Sequence, residues 1–275
     1  MILFFCGAPK HGSHFQMFVV QEALEQRGIP FQQVGNAIFH THDLRAGVAL
    51  LNELESRENE IFICKGHWGA KRERDLLLKY ATVRVFLIWR DLRDVLVSQY
   101  YYDINKSGIR HRDFETFYWR SGRFLLREHL RYRRVWDEVG DDTRIVHTEF
   151  RALRERFREE AEGLLRFAEV EGVDLRDLEE RLRLERLREK HHDPGGAFFR
   201  KGVVGEYAEV IRSKEVLQDI AAIEAQVVGG FPQVLRHEWR AIKSCPDKVG
   251  FAVSAMKYMV RRTGIPAWMR KVVRS

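Results

Sequence analysis

The stretch that decides the fold is Gly7-Ala8-Pro9-Lys10-His11-Gly12-Ser13-His14-Phe15. It follows an apolar run, Met1 to Cys6, and it precedes a segment in which apolar residues recur at the spacing of one helix face: Phe15, Phe18, Val19 and Ala23. This order predicts a strand, a glycine-rich turn and the N-terminus of a helix. Such a turn presents backbone N–H groups and the positive end of a helix dipole, which together bind phosphate-like anions.

The glycines of this loop have the spacing of a nucleotide-binding P-loop, but its lysine is placed differently. Gly7 and Gly12 are five residues apart, Ser13 stands where a Walker A motif has its lysine, and Lys10 lies inside the loop. The pattern therefore does not predict an ordinary ATP or GTP loop. An anion cradle and a plain turn between a strand and a helix both fit this stretch when it is taken alone.

Length and composition are those of a globular enzyme-sized domain. The chain has 275 residues, of which 45% are hydrophobic and 32% charged, so a sizeable core is possible and general disorder is not expected. The cysteines are scattered and odd in number (Cys6, Cys64 and Cys245), which favours a reducing compartment over a disulfide framework. Met1 to Cys6 is too short for the core of a signal peptide, and we expect a cytoplasmic protein.

The net charge of +7 belongs to the C-terminal end of the chain. Residues 241–275 hold eight lysines and arginines against a single acidic residue, Asp247, whereas residues 1–240 are balanced. We therefore expect a domain over 1–240 and a basic, amphipathic helical tail over 241–275, and no nucleic-acid partner. Within the tail, residues 251–275 combine aliphatic and Trp side chains with basic ones, which suits either contact with an anionic membrane surface or packing on the domain.

Strands and helices alternate along the first half of the chain. Buried strands are predicted at 1–6, 29–34, 61–64, 83–89 and 144–148, and helices at 46–56, 71–80, 94–102, 114–138, 149–190 and 213–228. This alternation predicts an α/β fold of three layers, with a central parallel sheet between helices. Ligands bind such sheets at the carboxyl ends of the strands, and Lys10, Lys65, His67 and Arg90 fall at these ends.

Several segments in this order resemble motifs of the sulfotransferases that use 3′-phosphoadenylyl sulfate (PAPS). Residues 9–15 resemble the family's phosphosulfate loop, and Lys65-Gly66-His67 resembles its Lys-Thr-His segment. Arg90, with Ser98 eight residues further on, resembles its 3′-phosphate motif, and residues 199–207 are similar to its Arg-Lys-Gly loop. Residues 164–175 also resemble the family, so that the likeness covers roughly residues 1–230.

The resemblance implies a P-loop-like fold, PAPS as cofactor, adenosine 3′,5′-bisphosphate (PAP) as its product and no metal ion. Lys10, His11, Gly12, Ser13 and His14 would hold the 5′-phosphosulfate, with Phe15 stacked on adenine in place of the family's usual Trp, unless Phe15 is simply part of the core. The 3′-phosphate would be bound by a second set of residues: Arg90, Ser98, Arg200, Lys201 and Gly202. Arginine suits this position because its planar fork matches phosphate oxygens.

The resemblance also assigns the catalytic groups. His67 would take the proton of an acceptor hydroxyl, Lys10 would stabilise the bridging oxygen of the leaving nucleotide, and Lys65 would assist. The sequence departs from the family at Thr148, where a tyrosine is usual, and at His14, where a Ser or Thr is usual. His40 with His42, and His191 with His192, lack the matching partners of a metal site.

Other functions and the acceptor stay open at this level. One alternative is a P-loop kinase of a small molecule, which would need Mg²⁺ and a loop lysine at the Walker A position. Another is a catalytically silent nucleotide- or membrane-binding module, and the presence of both His67 and Lys10 counts against it. A hydroxyl-bearing small molecule, a glycan and a lipid are all possible acceptors, and the sequence does not determine the oligomeric state.

Overall fold

The computed structural model describes residues 1–105, 107–193, 196 and 200–225. Its strands are β1 (Ile2–Cys6), β2 (Gln32–Gln33), β3 (Phe62–Gly66), β4 (Val83–Trp89) and β5 (Ile145–Glu149). The helices of the first half are α1 (Ser13–Gln26), α2 (Asn36–Thr41), α3 (Leu44–Glu55), α4 (Lys71–Leu77) and α5 (Leu92–Asn105). Further helices are α6 (Phe114–Phe117), α7 (Arg123–Asp137), α8 (Phe150–Glu155), α9 (Phe157–Phe167), α10 (Leu175–Arg181), α11 (Leu184–Lys190), α12 (Tyr207–Val210) and α13 (Lys214–Ala225).

The strands form one five-stranded sheet in the order β2-β3-β1-β4-β5, and every described pairing is parallel. In the centre, Cys6 of β1 pairs with Gly66 of β3 on one side and with Leu87 of β4 on the other. The carboxyl ends of the three central strands therefore lie at one edge of the sheet. The predicted α/β fold with a central parallel sheet is confirmed.

The sheet separates two apolar layers, because side chains alternate between the faces of a strand. Leu3 and Phe5 of β1 enter the cluster formed with α1 and α8 to α11, whereas Ile2, Phe4 and Cys6 enter the cluster formed with α2, α3, α4 and the end of α7. All five β1 residues are fully buried. Burial on both faces explains why β1 reads as a continuous apolar run rather than an alternating one.

The chain divides into two compact units. The predicted boundary at residue 240 lies outside the described residues. The first comprises Met1–Asp91 and Tyr132–Gly205 and contains the whole sheet. The second comprises Leu92–Arg131 and the described residues from Glu206 onward, and its core includes Phe117, Tyr118 and Ile220. Within it, buried Arg123 donates to Asp219 at 2.7 Å, which ties the start of α7 to α13.

Some predicted elements are divided or shifted. The helix predicted over 114–138 is interrupted by a π-helical turn at Tyr118–Gly122, and the one predicted over 149–190 is divided into α8 to α11. One of these breaks has a clear cause: Gly172 adopts a left-handed φ of 68°, and Asp174 then caps α10 by accepting from the N–H of Arg176 at 2.9 Å. The second strand is shorter than predicted, and α2 was not predicted at all. The predicted tail over 241–275 lies outside the described residues.

Candidate active site

The loop between β1 and α1 has the backbone of an anion cradle. Lys10 and Gly12 adopt left-handed φ angles of 69° and 103°. Gly12 occupies the N-cap position of α1, where no side chain caps the helix. No capping side chain therefore occupies the N-terminus of α1, and a helix N-terminus favours an anion. His11 and Ser13 are buried, the His11 ring lies edge-on to Trp89, and the His11 N–H donates to the Ala8 backbone oxygen at 3.3 Å.

Gly12 is required by packing as well as by its backbone angle. A Cβ at this position would lie 2.5 Å from Cδ2 of Phe150, the first residue of α8. The guanidinium of Arg90 lies 4.5 Å from the centre of the same Phe150 ring. One buried aromatic ring thus joins the loop after β1 to the arginine after β4.

The His67 side chain is held by the adjacent strand end. Its Nδ1 lies 2.5 Å from the backbone oxygen of Gly7. Because a carbonyl oxygen only accepts, Nδ1 carries the proton, and the other ring nitrogen, Nε2, has the lone pair. The backbone beyond His67 is shaped by buried Glu73, which accepts from the N–H groups of Gly69 and Ala70 at 2.8 Å. His67 is therefore set up as a proton acceptor at Nε2.

Lys65 is fully buried and contacts a histidine that the sequence analysis considered only as a metal ligand. Its Nζ lies 3.3 Å from Nε2 of His40, on α2. Nδ1 of His40 lies 2.5 Å from the backbone oxygen of Asn36, so this nitrogen donates and Nε2 accepts from Lys65. The His40 and His67 rings meet edge to face, with centroids 4.7 Å apart. Lys65, His40 and His67 thus form one cluster.

Burial and mutual repulsion keep this cluster low in charge. Burial lowers the pKa of Lys65 to about 8. It also lowers the pKa of His67 to about 3, with the Lys65 charge acting in the same direction. His14, in the first turn of α1, has a pKa lowered to about 2 by burial and then by the charges of Lys65, His67, His40 and Lys10. At neutral pH the imidazoles of His14 and His67 are therefore uncharged, and Lys65 is close to its titration point.

Among the residues predicted to bind the 3′-phosphate, Arg90 is connected to the segment of residues 200–203 in the first unit. Arg90 Nη2 donates to the Val203 backbone oxygen at 2.9 Å, which connects the end of β4 to the segment after Lys201. Arg188 on α11 donates to the Arg200 backbone oxygen. Gly202 has a left-handed φ of 61°. Ser98 lies on α5, in the second unit.

A cavity of about 660 Å³ opens beside Phe15 and contains Lys201. Phe15 is only partly buried, and its ring lies 5.1 Å from the guanidinium of Arg154 on α8. Other basic residues in the lining are Arg158, Arg176 and Arg183. Phe15 packs against the core at its edge and also lines the cavity, and its stacking on adenine stays a prediction.

The residue that replaces the family's tyrosine has a structural partner. The buried Gln16 side chain donates from Nε2 to Thr148 Oγ1 at 3.1 Å and to the Leu87 backbone oxygen at 3.3 Å. Thr148 therefore ties α1 to the sheet. Two residues of the site, Phe150 and Arg154, were missed from the sequence, because both lie in a segment whose many charges suggested a solvated surface. His40 was considered only as a metal ligand together with His42.

No metal-binding group of three or more His, Cys, Asp or Glu side chains occurs among the residues that the structure describes. Within the same ranges, no helix is long and apolar enough to cross a membrane.

The parallel sheet thus carries an anion loop, a buried lysine and an oriented histidine at one edge. Comparison with known families identifies the class of protein. The sulfotransferase domain model matches residues 19–231, and the chain belongs to the sulfotransferase family, as predicted. This match begins after the loop at 7–15. A search of curated proteins found no match.

Solved structures resemble the chain in fold. Mouse sulfotransferase SULT7A1 complexed with PAP has a TM-score of 0.63 at 14% identity, over 87% of this chain and 88% of that one. Retinol dehydratase in complex with androsterone and the inactive cofactor PAP has a TM-score of 0.63 at 14% identity, over 83% and 80% of the two chains. The complex of retinol dehydratase with retinol and PAP gives 0.62 at 15% identity, over 83% and 81%.

Proposed function

We propose that the chain transfers the sulfuryl group of PAPS to an acceptor hydroxyl, with His67 as general base. The hydroxyl oxygen forms a bond to sulfur while the bond between sulfur and the bridging phosphate oxygen breaks. The hydroxyl proton goes to Nε2 of His67, and the leaving nucleotide is PAP. Sulfuryl transfer of this kind requires alignment and charge stabilisation more than covalent chemistry from the protein, by analogy with phosphoryl transfer.

The observation that carries the proposal is the hydrogen bond from His67 Nδ1 to the Gly7 carbonyl, 2.5 Å long. It fixes the tautomer that a general base needs and places the ring beside the first residue of the anion loop. Lys10 lies three residues further along this loop and stabilises the bridging oxygen, while Lys65 stabilises the oxygens of the transferred group.

The low pKa of His67 is a property of the site without its anionic cofactor. Burial and the Lys65 charge lower this pKa to about 3. Nε2 is therefore unprotonated at neutral pH, but the ring is also a weak base. PAPS brings negative charge to the neighbouring loop, and negative charge favours the imidazolium. Cofactor binding therefore raises the basicity of His67 when the acceptor is to be deprotonated.

The cofactor is proposed to bind in two places. Its 5′-phosphosulfate lies on the loop of residues 10–14, against the N-terminus of α1. Its 3′-phosphate is bound by Arg90, Arg200, Lys201 and the Gly202 amide, and the sequence adds the hydroxyl of Ser98. The adenine occupies the cavity of about 660 Å³ on Phe15, where Arg154 supplies a second planar group for stacking.

The base assignment is tested with His67→Ala, which should lower kcat by about 10²- to 10⁴-fold while PAP affinity changes little. His147→Ala is the matched control, since His147 is exposed on β5. Full turnover of His67→Ala at saturating substrates would place the base elsewhere.

The cofactor assignment is tested by calorimetry: PAP should bind at micromolar level, roughly −8 kcal/mol, and equal affinity for 5′-AMP would exclude a 3′-phosphate site.

The acceptor is proposed to carry a hydroxyl group. The comparison structures hold androsterone and retinol, which are small apolar alcohols, and this supports a small hydroxyl-bearing molecule over a glycan. A screen of phenols, sterols, retinoids, sugars and lipids with sulfur-35-labelled PAPS distinguishes these classes. Transfer of label to an amine instead of a hydroxyl would contradict O-sulfation.

The tail remains a separate proposal from the sequence. Residues 251–275 are proposed to bind anionic membrane surfaces, each basic residue near the surface adding about 1 kcal/mol. The full chain should co-sediment with phosphatidylserine vesicles at low salt and be released at high salt, whereas a chain ending at Asp247 should stay in the supernatant. Equal behaviour of the two chains would assign the tail to packing on the domain.

A further inference from the structure

His40 touches Lys65 and His67, two of the three groups that the resemblance assigned to catalysis, although no motif includes it. Its Nε2 lies 3.3 Å from Lys65 Nζ, and its ring meets that of His67 with centroids 4.7 Å apart. The residue is exposed, whereas Lys65 is fully buried. His40 thus lies between solvent and the buried lysine, on the short helix that follows β2.

The hydrogen-bond directions in this contact are determined by the backbone. Nδ1 of His40 lies 2.5 Å from the Asn36 carbonyl oxygen and must donate to it. Nε2 then carries the lone pair. A neutral His40 can therefore accept a hydrogen bond from the protonated Lys65 side chain, whereas a protonated His40 could not. The pKa of His40 is lowered by its partial burial and by the Lys65 charge, in keeping with a neutral ring.

Among the described residues, the other groups near Lys65 make no hydrogen bond to its ammonium. Cys6 on β1 interacts with Lys65, but burial raises the pKa of this thiol to about 12, so it is uncharged. His14 on α1 and His67 after β3 are also influenced by the Lys65 charge, and both are neutral at pH 7. The described hydrogen bond of the Lys65 ammonium is the one to His40.

We propose that His40 is a positioning residue for sulfuryl transfer: its Nε2 accepts from the Lys65 ammonium, keeps that lysine protonated and holds it beside His67. The inference rests on the proposed function, in which protonated Lys65 stabilises the transferred group. A hydrogen bond from a charged donor in a buried site is among the stronger ones, so its loss should be measurable.

The test compares His40→Phe with His40→Gln in the full-length protein, with pH profiles of kcat from labelled PAPS. Phe keeps a ring that excludes water but removes the acceptor. The alkaline limb of the profile should then move about one to two pH units lower, and kcat at pH 8 should fall about 10- to 100-fold, with PAP affinity nearly unchanged. Gln retains an acceptor oxygen and should keep the limb close to that of the wild type.

Two controls make the result specific. Lys65→Arg cannot deprotonate in this range, so the alkaline limb should disappear if it belongs to Lys65. His192→Asn alters an exposed histidine after α11, whose left-handed φ of 52° suits Asn, and should leave the limb in place. Nitrogen-15 NMR of the unsubstituted protein reports the His40 tautomer without any turnover and should show the proton on Nδ1.

The inference is overturned if His40→Phe keeps the wild-type alkaline limb, if His40→Gln loses as much as His40→Phe, or if NMR places the His40 proton on Nε2. None of these outcomes affects the sulfotransferase assignment. That assignment fails separately, if the unsubstituted protein binds no PAP and transfers no label to any acceptor.

Discussion

Replacing Gly12 with alanine should damage both the fold and cofactor binding, for two separable reasons. The first is the backbone: Gly12 has a φ of 103°, and a left-handed conformation costs an L-residue about 1–2 kcal/mol. The second is a collision, because the new Cβ would lie 2.5 Å and 2.9 Å from two ring carbons of Phe150. That ring is buried and lies under the Arg90 guanidinium, so it cannot move cheaply. Displacing it should cost about 1–3 kcal/mol more.

The two contributions can be measured by urea unfolding of matched variants. Gly28→Ala is the control for the backbone alone, since Gly28 has a φ of 63° and no atom within 4 Å of its added Cβ. Gly12→Ala should lower the free energy of unfolding by about 2–5 kcal/mol, against about 1–2 kcal/mol for Gly28→Ala. In a Phe150→Ala background, Gly12→Ala should cost only the backbone contribution.

Calorimetry with PAP completes this test. Because Phe150 supports Arg90, Gly12→Ala should weaken PAP binding more than 10-fold, roughly 1.4 kcal/mol, while Gly28→Ala leaves it unchanged. Equal destabilisation by the two glycine substitutions, or no coupling between Gly12 and Phe150, would refute the packing argument.

Three further predictions follow from the same structure. The kcat/KM profile, which reports the free enzyme, should stay level from pH 7 to pH 5, because the pKa of His67 is lowered to about 3, and should fall as the pH rises through about 8, where Lys65 loses its proton; a loss centred near pH 6.5 would contradict this. Arg154→Ala should weaken PAP binding about 10-fold, whereas Arg151→Ala, an exposed neighbour paired with Glu155, should not. Burial lowers the pKa of His129 to about 4. Because the unfolded chain binds a proton at this histidine below about pH 6.5 and the folded chain does not, the free energy of unfolding should fall by about 2 kcal/mol from pH 7 to pH 5. His129→Gln should reduce this loss of stability, measured by thermal unfolding at the two pH values.

The sequence alone determined the architecture, because its signals are local. Continuous apolar runs such as Met1–Cys6 indicate strands buried on both faces, and their alternation with helices implies a parallel sheet. It follows that Lys10, His67 and Arg90, each just beyond a strand, lie at the carboxyl edge of this sheet. The motifs around these residues also indicated the sulfotransferase family, which the domain match bears out.

Only the tertiary structure decided which side chains complete the site and in which protonation state. His40 is 25 residues from Lys65 in sequence, and α2 brings it within 3.3 Å. Phe150, the first residue after β5, lies where a Cβ on Gly12 would meet its ring, a proximity that no local pattern encodes. The pKa of His67 departs from its ordinary value because burial and a neighbouring lysine act on it together. Periodicity reports which face of an element is buried, whereas long-range packing determines what that face meets.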